Sequence, residues 1–123
     1  MSGTSLAPTV LIVDDDEDQL LTFKILLESR HSNVITARNA ADAMALLQNR
    51  TVDLMLCDVN MPKISGKQFI KEVRVAREGL PIISFSADPE YLEEESQTWG
   101  ANAFCDKSRS RELLRTVQRY LKP

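Results

Sequence analysis

Asp14, Asp15, Asp58, Ser86 and Lys107 are the residues of this chain whose types and spacing suit chemistry, and each stands at the end of a short apolar run. Asp14 and Asp15 open an acidic stretch, "DDDED", directly after Val10–Val13; Asp58 follows "LMLC", Ser86 ends "IISFS", and Lys107 comes just after "NAFC". Neighbouring carboxylates each raise the cost of ionising the next, so an acidic cluster at the end of a buried segment needs a counter-charge. If the first and third apolar runs are neighbouring strands, Asp14, Asp15 and Asp58 converge on one pocket. Hard oxygens at that density suit Mg²⁺, which takes one or two protein carboxylates, keeps several waters and completes its octahedron with a phosphoryl oxygen.

The elements that must position these residues alternate along the chain. Thr9–Val13, Asn33–Ala37, Asp53–Cys57, Pro81–Ser86 and Asn102–Cys105 are short, apolar and partly β-branched, and read as five strands. Between them apolar residues recur at helical spacing: Leu20, Phe23 and Leu27; Ala40, Ala43, Met44 and Leu47; Phe69, Ile70, Val73 and Ala76; and, after the last strand, Leu113, Val117 and Leu121. The fourth helix, "EYLEEESQTW", is the least amphipathic. Asn39 and Ser65 suit the N-caps of the second and third helices, and Asp88 followed by Pro89 suits that of the fourth. Such alternation predicts an α/β fold of parallel strands, right-handed crossovers and helices on both faces, with ligands bound beyond the carboxyl ends of the strands.

Composition narrows the function classes. The chain has 123 residues, 43% hydrophobic and 27% charged, the size of one domain with a single core. A net charge of -3 and a pI near 5.2 give no general attraction to nucleic acid or anionic lipid. No apolar run reaches the roughly 18 residues of a membrane span, and "MSGTSLAPT" lacks the regions of a secretory signal, so a cytoplasmic location is expected. Residues 1–8 read as a flexible N-terminal arm and 9–123 as the domain. Cys57 and Cys105 read as buried apolar thiols, His31 as a surface residue, and Trp99 as packing.

The runs "LIVDDDEDQL", "LMLCDVNMPKISG", "IISFSA" and "GANAFCDKS" occur in that order, with D-x-N-M-P-x-x-x-G at Asp58 to Gly66. Together they resemble the receiver (phosphoacceptor) domain of bacterial two-component response regulators over essentially the whole chain. The resemblance implies a flavodoxin-like (βα)5 doubly wound sandwich with parallel sheet order 2-1-3-4-5, an order that spacing alone does not establish.

The resemblance also implies roles. Asp58 is the phosphoacceptor, its carboxylate attacking the phosphorus of a phosphohistidine or a small phosphodonor. Asp15 binds Mg²⁺ directly, Asp14 directly or through water, and Asn60 lends its backbone carbonyl. Lys107 pairs with Asp58 before transfer and with a phosphoryl oxygen afterwards, while Ser86 bonds another phosphoryl oxygen. Phe104 matches an aromatic position that changes rotamer as the hydroxyl residue moves. The implied partners are a sensor histidine kinase or a histidine phosphotransfer protein. A downstream protein, or a second copy once phosphorylated, would meet the surface of the fourth helix, fifth strand and fifth helix. No direct nucleic-acid or membrane binding is implied, and the domain catalyses only its own phosphorylation and dephosphorylation.

Two positions depart from the family pattern. Ser108 replaces the proline that usually follows the lysine, which admits a trans loop because a non-proline cis bond costs about 2.5 to 4 kcal/mol. Asp106 replaces an apolar residue and is expected to point to solvent, the alternative being competition for Lys107. Asp16, Glu17 and Asp18 are expected in the first helical turn, where acids complement the macrodipole. Two other functions fit part of the pattern. A haloacid-dehalogenase-type phosphatase would use the D-x-D of Asp14 and Asp16, with Asp14 phosphorylated, and a receiver-like binding module would take up no phosphate.

Overall fold

Strands β1 (Thr9–Val13), β2 (Asn33–Ala37), β3 (Leu54–Asp58), β4 (Ile82–Ser86) and β5 (Ala103–Asp106) alternate with helices α1 (Glu17–Glu28), α2 (Ala40–Asn49), α3 (Gly66–Ala76), α4 (Leu92–Trp99) and α5 (Ser110–Leu121). The structure is a computed structural model that describes residues 7–60, 65–87 and 92–121. The expected elements all form, with shifts of one residue at several strand ends. The ladders run on through the acids, pairing Asp58 with Phe85 and Asp106 with Ser86, so both aspartates are strand residues. Asp53 and Asn102 lie just outside because their side chains accept backbone N–H groups, of Thr9 and Ile82 respectively, both at 2.8 Å.

All strands are parallel, in the order β2-β1-β3-β4-β5. β3 and β4 are buried along their whole length, which is why they read as continuous apolar runs rather than alternating ones. On one face, Leu20, Phe23 and Leu27 of α1 and Leu113 and Val117 of α5 cover Ile12, Leu56 and Phe85. On the other, Leu47 of α2, Phe69, Ile70 and Val73 of α3 and Trp99 after them cover Leu11, Met55 and Ile82. Trp99 is therefore packing, as expected, whereas Ala76 at the end of α3 is exposed.

The caps follow local chemistry. Asn39 Oδ1 accepts from Asp42 N at 2.8 Å, and Ser65 Oγ from Gln68 N at 3.2 Å. Asp88 and Pro89, expected to cap α4, lie outside the described residues, as do Met61 and Pro62 of the motif. His31, exposed at φ 67°, closes α1: its N–H donates to Glu28 O at 3.1 Å, and Ser32 N–H donates to Leu27 O at 3.3 Å. Cys57 and Cys105 are buried and form no disulfide. Of the expected N-terminal arm, residues 1–6 lie outside the described set, while the Pro8 carbonyl accepts from Asn33 N at 2.8 Å. No helix among the described residues is long and apolar enough to cross a membrane.

Candidate functional site

The sheet order reverses between β1 and β3, opening a crevice at their carboxyl ends. Asp14 and Asp15 enter it directly after β1, and Asp58 ends β3. Carboxylate oxygens of Asp14, Asp15 and Asp58 lie within 4.8 Å of one another; Asp14 and Asp58 are buried and Asp15 is exposed. Asp14 Oδ1 accepts from Asp16 N and Asp58 Oδ1 from Asn60 N, both at 3.0 Å. The Lys107 ammonium reaches in from the loop after β5, 4.9 Å from the centre of the Phe85 ring. It donates to Asp14 Oδ2 at 2.8 Å and lies 3.3 Å from Asp58 Oδ2. The pairing with Asp58 is thus present, but the shorter contact is to Asp14.

Asp16, Glu17 and Asp18 belong to the helix, as expected. Asp16 is the N-cap of α1, accepting from Asp18 N at 2.9 Å and Gln19 N at 3.3 Å, and Glu17 pairs with Arg38 at 3.0 Å. Asp106 stays on the solvent side, as expected, and also makes a local contact that the sequence did not disclose. Its Oδ1 accepts from the backbone N–H and the hydroxyl of Ser108, at 2.9 and 2.8 Å, on the solvent side of the loop, so it ties down the loop and does not compete for Lys107. The loop is trans: there is no cis peptide bond among the described residues.

Burial raises the Asp58 carboxyl from its usual 3.8 to about 6, with a smaller push from the Asp14 charge, against the lowering effects of the Asn60 N–H and Lys107. Burial also works against the Lys107 ammonium, but the bond to Asp14 and the charges of Asp58 and Asp14 outweigh it and raise its pKa. Between about pH 4 and 6 the folded protein therefore holds a proton on Asp58 that the unfolded chain has released. Stability from this group is full below that window and falls as pH rises through it, because the folded state holds more protons there than the unfolded chain. Urea midpoints of the protein without Mg²⁺ should accordingly decline from pH 4 to 7 relative to Asp58→Asn, in which Lys107 stays charged throughout. A difference that is flat, or that rises with pH, contradicts this account.

Ser86, fully buried at the end of β4, accepts a hydrogen bond from the Asn60 amide Nδ2 at 3.2 Å. Asn60 thus touches Asp58 through its backbone and the Ser86 hydroxyl through its side chain, a link that chain spacing did not disclose. Phe104 is half-buried on β5, on the same face of the sheet as Ser86, and packs against the core under α2, α3 and α4. Gly66, the first residue of α3, sits against the backbone of Asp58. A Cβ there would meet Asp58 O at 2.1 Å and Val59 Cα at 2.5 Å, and both are main-chain atoms that cannot swing away. Gly66→Ala should therefore destabilise the protein by about 1 to 3 kcal/mol or more and shift the Asp58 amide resonance, as chemical denaturation and NMR would read. A wild-type midpoint would refute that tight contact.

The response regulator receiver domain family matches residues 10–118, nearly the whole described chain. The chain belongs to that family. This receiver is 35% identical to an uncharacterised 14.6 kDa protein of Leptolyngbya boryana, over 90% of this chain and 88% of that one. It is 34% identical to the transcriptional regulatory protein CpxR of Klebsiella pneumoniae, over 92% of this chain but 49% of that one. It spans under a fifth of other matched regulators and sensor kinases. Its fold superposes on the response regulator TrrA of Thermotoga maritima, solved in complex with Mg²⁺ and beryllium fluoride, with a TM-score of 0.86, 27% identity and coverage of 93% of this chain and 99% of that one. The receiver is a signalling domain of the two-component type, with the sheet order that the resemblance implied.

The donor set of this receiver fits Mg²⁺. It is all hard oxygen, from three carboxylates whose ligand atoms lie within 4.8 Å of one another, the ligand type that Mg²⁺ takes. Phe85, whose ring lies beneath Lys107, was not singled out from the sequence because apolar strand residues carry no signal of what they face.

Proposed function

We propose that residues 9–123 form a cytoplasmic phosphoacceptor unit in which Asp58 takes a phosphoryl group from the phosphohistidine of a sensor histidine kinase or histidine phosphotransfer protein. The observation that carries this reading is the Lys107 ammonium held between two buried carboxylates, 2.8 Å from Asp14 and 3.3 Å from Asp58. Asp14, Asp15, Asp58 and the Asn60 carbonyl would hold Mg²⁺, which when bound neutralises charge beside the reacting oxygens. An Asp58 oxygen attacks phosphorus while the bond from phosphorus to the donor's imidazole nitrogen breaks. Carboxylate is a weak nucleophile, so positioning and charge stabilisation supply the rate. The Asn60 N–H orients one Asp58 oxygen and leaves the other facing Lys107. As the acceptor carboxylate becomes an acyl phosphate, Lys107 shifts its bond to a phosphoryl oxygen.

The transfer also drives a switch. A phosphoryl group adds roughly 1.5 to 2 negative charges and three acceptor oxygens. Reversing a 1:99 equilibrium takes about 5.5 kcal/mol of differential affinity, which charge-assisted bonds from Ser86 and Lys107 can largely provide. Ser86 would leave Asn60 and turn to the phosphoryl group, Phe104 would move into the space, and the α4-β5-α5 surface would change for a downstream partner or a second copy. Trp99, the only tryptophan, packs at the end of α4 and reports without labelling. Adding beryllium fluoride with Mg²⁺ should change its fluorescence, and Ser86→Ala should blunt that change while Mg²⁺ titration stays nearly the same. Resonance shifts confined to the acidic pocket, with Phe104 and Trp99 unmoved, would remove the switching half of the proposal.

A further inference from the structure

A second site stands on the far side of α5, away from the acidic pocket. Arg111, Leu114, Arg115 and Gln118 lie at i, i+3, i+4 and i+7, one face of that helix, and with Arg30 from the end of α1 they line an open cleft of about 340 Å³. The three arginines are exposed, and among the described residues none of their guanidinium groups has a hydrogen bond or ion pair. The nearby acid Glu112 is taken up by Arg109 at 3.3 Å. Physical chemistry disfavours this arrangement in the isolated chain. Arg111 and Arg115 are like charges one turn apart, Arg111 sits in the first turn of α5 where the helix dipole repels cations, and Arg30 adds a third charge from another element. The rest of the chain is acidic enough to leave a net charge of -3.

We infer that this cleft is a docking surface for a carboxylate-rich segment of a protein partner. Guanidinium forks match carboxylates in bidentate geometry, and the unpaired forks leave that capacity unused. Leu114, half-buried between the two arginines of α5, offers an apolar contact that a bare polyanion would not use. The stripe from Arg111 to Gln118 is about 10 Å long at 1.5 Å per residue, the reach of a short peptide rather than a single ion. The net negative chain repels a nucleic-acid backbone beyond the cleft. This inference is independent of the chemistry at Asp58.

The experiment titrates the full chain with a synthetic Glu-Leu-Glu-Glu-Leu-Glu peptide at low salt, read by NMR and calorimetry, with pyrophosphate and a short DNA duplex in parallel. Saturable binding is expected, with shifts at Arg30, Arg111, Leu114 and Arg115, weakened about tenfold or more in the double variant Arg111→Ala/Arg115→Ala. Arg50→Ala, at the C-cap of α2, should keep the peptide affinity of the wild type. An unchanged circular dichroism melt and unchanged beryllium fluoride response in the double variant would show that the fold and the Asp58 site are intact. No saturable peptide binding, or equal weakening by Arg50→Ala, overturns the inference. So does tighter binding of the duplex, which would make the cleft a nucleic-acid contact, or of pyrophosphate, which would make it a small-anion site.

Discussion

Asp58→Asn is expected to abolish phosphoryl incorporation from acetyl phosphate in the presence of Mg²⁺, with wild-type protein gaining one labile phosphate seen by intact-mass measurement. The substitution conserves shape. The new amide oxygen can still accept from the Asn60 N–H, which now lies 3.0 Å from Asp58 Oδ1, so loss of labelling would report the missing anionic oxygen and not a displaced loop. Asp14→Asn should behave differently: it weakens metal binding and frees Lys107 from its 2.8 Å partner, slowing incorporation without moving the label. A phosphatase of the haloacid-dehalogenase type would give the reverse, with the phosphate carried by Asp14 and retained in Asp58→Asn. Unchanged incorporation in Asp58→Asn would remove the acceptor assignment. No labelling of wild-type protein by any phosphodonor would leave only the binding-module reading.

Lys107→Met is expected to produce the largest loss of stability at the site, and Mg²⁺ should repair most of it. The ammonium is the cation held against both Asp14 and Asp58, whose side chains are only 1% and 6% exposed. Removing one partner of a buried ionic group strands the others, at a cost of about 3 to 5 kcal/mol. Without Mg²⁺ the variant should unfold at markedly lower urea concentration near pH 7, or take up a proton on the carboxylate pair. With Mg²⁺ the two acids regain a counter-charge, and ligand that binds only the folded state stabilises by RT ln(1 + [L]/Kd). The variant should therefore gain more from Mg²⁺ than the wild type does, because no lysine competes for the same oxygens. Its Trp99 response to beryllium fluoride should nevertheless be lost, since Lys107 is one of the two donors proposed to pull on the phosphoryl oxygens. Stability within about 0.5 kcal/mol of wild type without Mg²⁺ would mean that the ion pair contributes no more than a surface one.

Both predictions turn on details with different origins. The alternation of strands and helices is local: apolar runs of β-branched residues, helical spacing of Leu20, Phe23 and Leu27, and caps at Asn39 and Ser65 that need only the next three residues. Such signals are written within about one turn of chain, so reading them requires no knowledge of what lies across the sheet. The identity of the site residues was legible for a related reason, because carboxylates, a hydroxyl and a lysine at successive strand ends are chemically conspicuous in apolar surroundings. Their arrangement was not. Asp14 and Lys107 are 93 positions apart, and chain spacing carries no metric for which of two acids a lysine reaches first. The strand order followed from resemblance, since a crossover of similar length can place β3 on either side of β1. Whether Asp106 faced Lys107 or its own loop was settled by the hydroxyl of Ser108, and the contact of Gly66 with the Asp58 carbonyl by the packing of α3 on β3. By itself the sequence determined the elements, their caps and the chemical types gathered at the strand ends. Only the tertiary structure decided which oxygen faces which donor and how far burial raises Asp58, because distance and desolvation are properties of the assembled sheet and not of any stretch of chain.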